Sequence, residues 1–367
     1  MDGSTAIFPA EGSAPLLEVR GLTKHFPLRR PVTAPFAPQR MLHAVDDVTL
    51  EIRPREIVAL VGESGSGKST VARLLAMVYR PTAGEMLYRG QPIGELRSRA
   101  EMLAYRRRVQ MILQDPFSSI SPVYPVAHGI SRALTLHRRV QGGARQRRET
   151  VEGILESVGL SPATEFVRKY PYELSGGQRQ RIGFAQALAC GPELILADEP
   201  VSMLDVSIRI GVLNLMAELR NHEGVSFLYI THDIASARYV ADRMFVMYAG
   251  RIVESGPIDD VLSRPKHPYT QLLLSAVPDP RAPQSAGLAG DTGEPPRVVD
   301  PGEGCRFRAR CPYAVEKCSL VTPRLRPVRP GHMAACHVAT AELPPRDDAG
   351  RASRHAVIGD GEKQAID

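Results

Sequence analysis

The stretch Gly62-Glu63-Ser64-Gly65-Ser66-Gly67-Lys68-Ser69-Thr70 constrains this chain more than any other. It fits G-x-x-x-x-G-K-[ST] and follows a short apolar run, Glu56 to Val61, that reads as a buried parallel strand. After it, Ser69 to Tyr79 carries Val71, Leu74, Leu75 and Val78 at helical spacing. Strand, glycine loop and helix in that order let successive backbone N–H groups curl around a phosphate while the helix adds its positive end. Lys68 is expected to reach the β- and γ-phosphates, and the Ser69 hydroxyl to bind Mg2+. Gly62, Ser64, Gly65, Gly67 and Thr70 complete the cradle. The fold class that follows is α/β, with a P-loop (RecA-like) core.

A second glycine-rich turn, Leu174-Ser175-Gly176-Gly177-Gln178, lies far downstream, and Asp198-Glu199 ends a second apolar strand, Glu193 to Ala197. Two anion-binding turns so far apart are hard to bring onto one triphosphate within a single copy. A head-to-tail pair of domains, each lending its second turn to the other's nucleotide, solves the problem. Asp198 is placed to hold the metal. Glu199, beside it, is placed to orient and deprotonate an attacking water. Gln114, closing Val109 to Leu113, can touch metal or water and report occupancy to the region that follows. His232, after the strand Ser226 to Ile230, can hold the γ-phosphate as a donor, and Ser202 to Asp205 can meet a partner.

The α/β pattern has additions at both ends and in its middle. Leu17 to Arg20 and Ala44 to Ile52 alternate as strands of an N-terminal antiparallel subdomain, with a proline-bearing loop, Arg30 to Gln39, between them. Ala100 to Val109, Val126 to His137 and Ala144 to Val158 read as helices of an inserted subdomain, about 102–185. Arg243 to Met247 and Arg251 to Glu254 read as a hairpin. Beyond Pro257, Asp259 to Leu262 and Pro268 to Ala276 are helix candidates, and Pro278 to Asp300 a linker. Residues 1–15 and 339–367 read as disordered. The expected division is 16–257 for the nucleotide-binding domain and 258–338 for a small cysteine-bearing extension.

With 367 residues and a 43% hydrophobic fraction the chain is globular, and no run approaches a membrane span of roughly 18 apolar residues. The start shows no basic and apolar signal pattern. The formal charge of +6 gathers in arginine clusters at 106–108 and at Arg138, Arg139, Arg145, Arg147 and Arg148. No aromatics interleave with them as a base-stacking platform needs, so a solvated or lipid-facing surface is expected rather than nucleic acid.

Taken together, these residues resemble the nucleotide-binding domain of ABC transporters over about 16–257, with Walker A, Q-loop, signature, Walker B, D-loop and H-loop in order. The resemblance implies that Phe26 stacks on adenine and that Ser175, Gly176, Gly177 and Gln178 bind the γ-phosphate held on the opposite domain. Gln186 stands where the family usually has arginine, and Met203 where the D-loop usually has a small residue. Gln114 to Ser119, Tyr172 to Arg181 and His267-Pro268-Tyr269-Thr270 are similar to the ATPase subunits of oligopeptide, dipeptide and nickel importers. That implies ATP hydrolysis at the cytoplasmic face of the membrane, as a peripheral subunit. The partners implied are a second ATPase chain, two permeases and an extracytoplasmic substrate-binding protein. Nickel is the alternative cargo, and a soluble ABC ATPase acting on ribosomes or DNA the alternative class. Ile120 to Pro125 departs from that group's usual sequence near the permease-facing surface.

Cys305, Cys311, Cys318 and Cys336 are spaced C-x5-C-x6-C-x17-C, without the C-x2-C knuckle of zinc ribbons. Four thiols in a chain without a secretion signal suggest a metal site rather than disulfides. Importer ATPases of this type can carry such a pattern, some with a 4Fe-4S cluster. An iron–sulfur cluster, structural zinc and free thiols stay open. The fifth, Cys190, reads as a small buried hydrophobe.

Overall fold

The computed structural model describes residues 14–30, 36, 38–115, 120–137, 139–140, 142–276 and 297–339. The readings for residues 1–13, most of the linker after Pro278, and the tail from 340 fall outside the described residues, as do Pro116 to Ser119 and Arg138.

Among the described residues, twelve strands form two sheets. Four of them, β1 (Leu17–Pro27), β2 (Met41–Ile52), β4 (Ala83–Tyr88) and β5 (Gln91–Pro92), make an antiparallel sheet in the order β2-β1-β4-β5. The other eight are β3 (Ile57–Val61), β6 (Val109–Ile112), β7 (Leu194–Asp198), β8 (Ser226–Thr231), β9 (Arg243–Tyr248), β10 (Arg251–Pro257), β11 (Arg326–Arg329) and β12 (His332–Ala334). Their order is β11-β12-β10-β9-β3-β8-β7-β6. The strands from β9 to β6 run parallel, and β10, β12 and β11 each pair antiparallel. A parallel sheet covered on both faces needs strands that are apolar throughout. β3 is apolar throughout, β7 and β8 are apolar but for Asp198, Ser226 and Thr231 at their ends, and every residue of the three is buried.

The alternation of Cβ directions divides the core in two. Ile57, Ala59 and Val61 face one cluster, which takes in the inserted helices. Val58 and Leu60 face the other, shared with the antiparallel sheet and the helix Lys68–Leu75. Within the insertion, Val126, Ile130 and Leu134 recur every four residues along the helix Val126–Leu136 and are at most 1% exposed. Val151 and Leu155, four residues apart on Ala144–Ser157, are buried as well. Each such side chain contributes about 1.5–3 kcal/mol by burial. The opposite face of Ala144–Ser157 is solvated, and its arginines pair at i,i+4 as Arg145–Glu149 and Arg148–Glu152.

Two differences from the sequence reading matter. The helix expected to run to Tyr79 stops at Leu75, because Met77 adopts a left-handed φ of 54° and the amides of Val78 and Tyr79 turn back to the Arg73 carbonyl. The extension, in turn, is continuous with the core sheet: β12 pairs with β10 through Glu254↔Ala334 and Ser255↔Met333. Its anchor is Glu254, fully buried, whose carboxylate accepts from the amides of Lys266 (2.6 Å) and His267 (2.9 Å) and meets His332 Nε2 at 2.7 Å. Burial pushes the His267 imidazole down to about 3. It therefore stays neutral, and its Nδ1 accepts from the Tyr269 amide, capping the helix Pro268–Ser275. Pro268 at the first helical position completes that start.

Candidate functional site: a nucleotide site at the strand ends

The phosphate loop leaves β3 beneath a tight ceiling. A Cβ on Gly62 would lie 2.2 Å from the Met247 carbonyl oxygen, and one on Gly67, at φ 108°, 2.3 Å from that of Ala44. Glycine is required at both positions by close backbone approach. Ser66 is fully buried, and its carbonyl accepts from the Gly250 amide at 2.8 Å. Ser64 and Gly65 stand exposed at the tip, and Lys68, Ser69 and Thr70 open the helix. Lys68 Nζ donates to the carbonyls of Gly62 (2.7 Å) and Glu63 (2.8 Å), and Ser69 Oγ donates to Asp198 Oδ1 (3.0 Å). Burial pushes Lys68 below its ordinary value and Asp198 above its own. Each group thus gains from an opposite charge brought into the site: a phosphate for Lys68, a divalent cation for Asp198.

The C-terminal ends of β6, β7 and β8 bring the other candidates together. Glu199 follows β7 at a left-handed φ of 49°, its amide donating to the Ile230 carbonyl. Gln114 Nε2 donates to Glu199 Oε2 at 3.2 Å, and His232 Nδ1 lies 3.2 Å from Oε1. One carboxylate is thus bracketed by an amide and an imidazole from its two neighbouring strands. Sequence reasoning missed what steadies this group. Ser202 Oγ donates to the Glu199 carbonyl, the Asp233 amide donates to Thr231 Oγ1, and Asp233 caps the following helix through the Ala235 amide. An aspartate directly before an apolar-periodic segment was the available signal.

The second glycine turn is built differently. Ser175 Oγ accepts from the Gln178 amide (3.3 Å) and the Gln178 side chain accepts from the Ser175 amide (3.0 Å), a reciprocal cap on the helix Gly176–Ala189. A Cβ on Gly177 would strike Ile208 at 2.4 Å, whereas one on Gly176 would meet only Leu204, at 3.6 Å. Among the described residues no hydrogen bond joins this turn to Gly62–Thr70. Phe26 is half-buried at the end of β1, edge-on to Tyr79 with ring centroids 5.4 Å apart.

The four extension cysteines converge. The Cys305 amide donates to the Cys318 carbonyl at 2.8 Å, and the sulfurs of Cys305, Cys311 and Cys336 accept from nearby backbone amides. Burial, with neighbouring thiols adding to it, pushes Cys311 up to about 12 and Cys336 to about 11. Among the described residues, the trio of histidine, cysteine or carboxylate ligand atoms lying within 4.8 Å of one another is His25, His43 and Asp46. Asp46 is an ion-pair node rather than a ligand, since Arg251 (3.1 Å) and Arg306 hold it. No three of the four sulfurs are that close. A zinc tetrahedron with bonds of about 2.3 Å needs sulfurs roughly 3.8 Å apart.

Fold and site together define a P-loop nucleotide hydrolase whose second glycine turn, among the described residues, makes no hydrogen bond to its own phosphate loop. The family described as ABC transporter matches residues 45–202, and the oligopeptide/dipeptide transporter C-terminal region matches 253–318. The oligopeptide transport ATP-binding protein AppF of Bacillus subtilis is 41% identical over 328 residues, 88% of this chain and 97% of that protein. A Brucella ovis relative named for peptide import is 43% identical over 322 residues, 88% of this chain and 97% of its own. A dimeric ATP-binding cassette in a post-hydrolysis state with ADP and Pi superposes with a TM-score of 0.58 at 26% identity, covering 66% of this chain and 98% of that one. The chain belongs to the ABC transporter ATP-binding proteins, in the branch that carries the oligopeptide/dipeptide C-terminal region, and it is an ATPase of that type.

Proposed function

We propose that this ATPase energises peptide import, as one of two different ATPase chains docked on two permease subunits fed by an extracytoplasmic binding protein. Gly176 carries the head-to-tail part of the reading. Its backbone is ordinary and its surroundings would admit a side chain. Nothing within the chain accounts for a glycine there, and close approach of a γ-phosphate held on a partner domain would account for it. The C-terminal region and the names of the relatives support the peptide cargo. No helix among the described residues is long and apolar enough to cross a membrane, which fits a peripheral subunit at the cytoplasmic face.

In this reading Ser69 and Asp198, with Gln114 nearby, would hold Mg2+, which when bound would supply neutralising charge for the phosphates. Lys68 and the loop amides hold the β- and γ-phosphates, and Phe26 stacks on the base. Glu199 orients and deprotonates the attacking water, while His232 steadies both Glu199 and the γ-phosphate. Expression with the neighbouring permease genes tests the class: co-purification with integral membrane subunits and ATP-dependent uptake of a labelled peptide are expected. Association with ribosomes or DNA alone would contradict it.

Cys305, Cys311, Cys318 and Cys336 would hold a 4Fe-4S cluster of structural role. Brown protein with iron after anaerobic purification, both lost in Cys311→Ser, is the expected result. Colourless protein with one zinc would overturn it.

A further inference from the structure

Glu63, the second residue of the phosphate loop, is gripped from three sides. Its amide donates to Tyr269 Oη at 2.9 Å, and its carbonyl accepts from Lys68 Nζ at 2.8 Å. Its carboxylate takes two guanidinium hydrogen bonds from Arg310, at 2.8 and 3.0 Å. Tyr269 and Arg310 both lie beyond Pro257, the latter between Cys305 and Cys311. Neither can drift. Tyr269 is fully buried, with its ring 4.6 Å from Tyr248 and 5.5 Å from Phe307. The Arg310 guanidinium lies 5.8 Å from the Tyr248 ring centre and 5.9 Å from that of Phe307, on a side chain only 14% exposed. Hydrogen bonding to Glu63, ahead of the opposing effect of burial, holds that guanidinium charged.

A carboxylate in a loop that must receive polyphosphate is an electrostatic liability, and a bidentate arginine removes it. We propose that Arg310 and Tyr269 of the extension are positioning residues for nucleotide binding, acting through Glu63. Arg310 cancels the carboxylate's repulsion of the phosphates. Together the two fix the carbonyl that orients Lys68. The extension is thereby part of the nucleotide site's support, a role that rests on the P-loop reading of Gly62 to Thr70.

Titration of the full-length chain with MgADP by calorimetry tests this, with a thermal unfolding curve for each variant. Arg310→Ala should weaken binding about tenfold, which is about 1.4 kcal/mol. It should weaken binding more than Glu63→Gln, which removes the charge as well as the pair. The double variant Glu63→Gln/Arg310→Ala should bind within about threefold of wild type, because the repulsive charge is gone. A merely structural Arg310 would show no such recovery. Tyr269→Phe, which keeps the ring packing, should weaken binding about two- to threefold; it carries the test if Arg310→Ala does not fold. Unchanged affinity in Arg310→Ala or in a folded Tyr269→Phe, or a double variant no better than Arg310→Ala, would overturn the proposal. Lys68→Ala separates the two failures: if it binds MgADP as tightly as wild type, the P-loop reading itself is wrong.

Discussion

The two glycine turns of this chain look alike in sequence and are opposites in structure. The loop at Gly62 to Thr70 is enclosed: backbone carbonyls press on two of its glycines, Lys68 is buried, and Glu63 is tied to the extension. The turn at Ser175 to Gln178 is capped on itself, and Gly176 touches little of its own chain. The first is finished by intramolecular packing. The second lacks an internal reason for one of its glycines. Similar residues are thus explained by their own chain in one case, and in the other leave Gly176 for the partner's site proposed above.

The largest way to sharpen that contrast is Glu199→Gln. It keeps the bracket from Gln114 and His232 but removes the base. Hydrolysis should fall about 10²–10⁴-fold, while MgATP binding persists, as read by single-turnover phosphate release beside equilibrium binding. Loss of binding in equal measure would mean that Glu199 holds the loop rather than the water. A smaller effect separates the two glycines directly. Gly62→Ala drives a Cβ into the Met247 carbonyl and should cost about 1–3 kcal/mol of stability, as overpacking does. Gly176→Ala should leave the unfolding midpoint of the isolated chain unchanged while impairing hydrolysis in the assembled pair. Matching stability losses in denaturant melts would erase the distinction.

The smallest expected effect concerns the seam between β2 and the extension. Burial pushes Asp46 up, but Arg251 and Arg306 outweigh it and hold its carboxyl below the ordinary 3.8. A depressed folded pKa stabilises the protein fully above the unfolded value and loses that contribution as pH falls through the folded one. The difference in melting temperature between wild type and Asp46→Asn should therefore be full at pH 7 and shrink below about pH 4. A gap independent of pH would show that Asp46 acts only by shape.

What the sequence disclosed follows the same division. The placement of the phosphate loop, Asp198, Glu199, Gln114 and His232 was legible because each stands at the end of a short apolar strand, where local backbone geometry sets its position. The strands β11 and β12 were not. At four and three residues they are too short to show alternation. Their attachment depends on the buried contact of His332 with Glu254, far apart in sequence. The grip of Arg310 and Tyr269 on Glu63 was equally hidden, since no period or motif links a tyrosine after His-Pro to a glutamate in a glycine loop. The cysteines could be counted but not placed; only the fold shows that they converge.

The central claim is that this chain completes its partner's site with Gly176 and its own with the partner's signature. Vanadate trapping of a photoreactive ATP in the assembled importer, with Gly176→Asp introduced into this chain alone, tests it most directly. The account predicts that label disappears first from the partner ATPase while this chain's phosphate loop still traps nucleotide. Label lost from this chain and kept on the partner would contradict it.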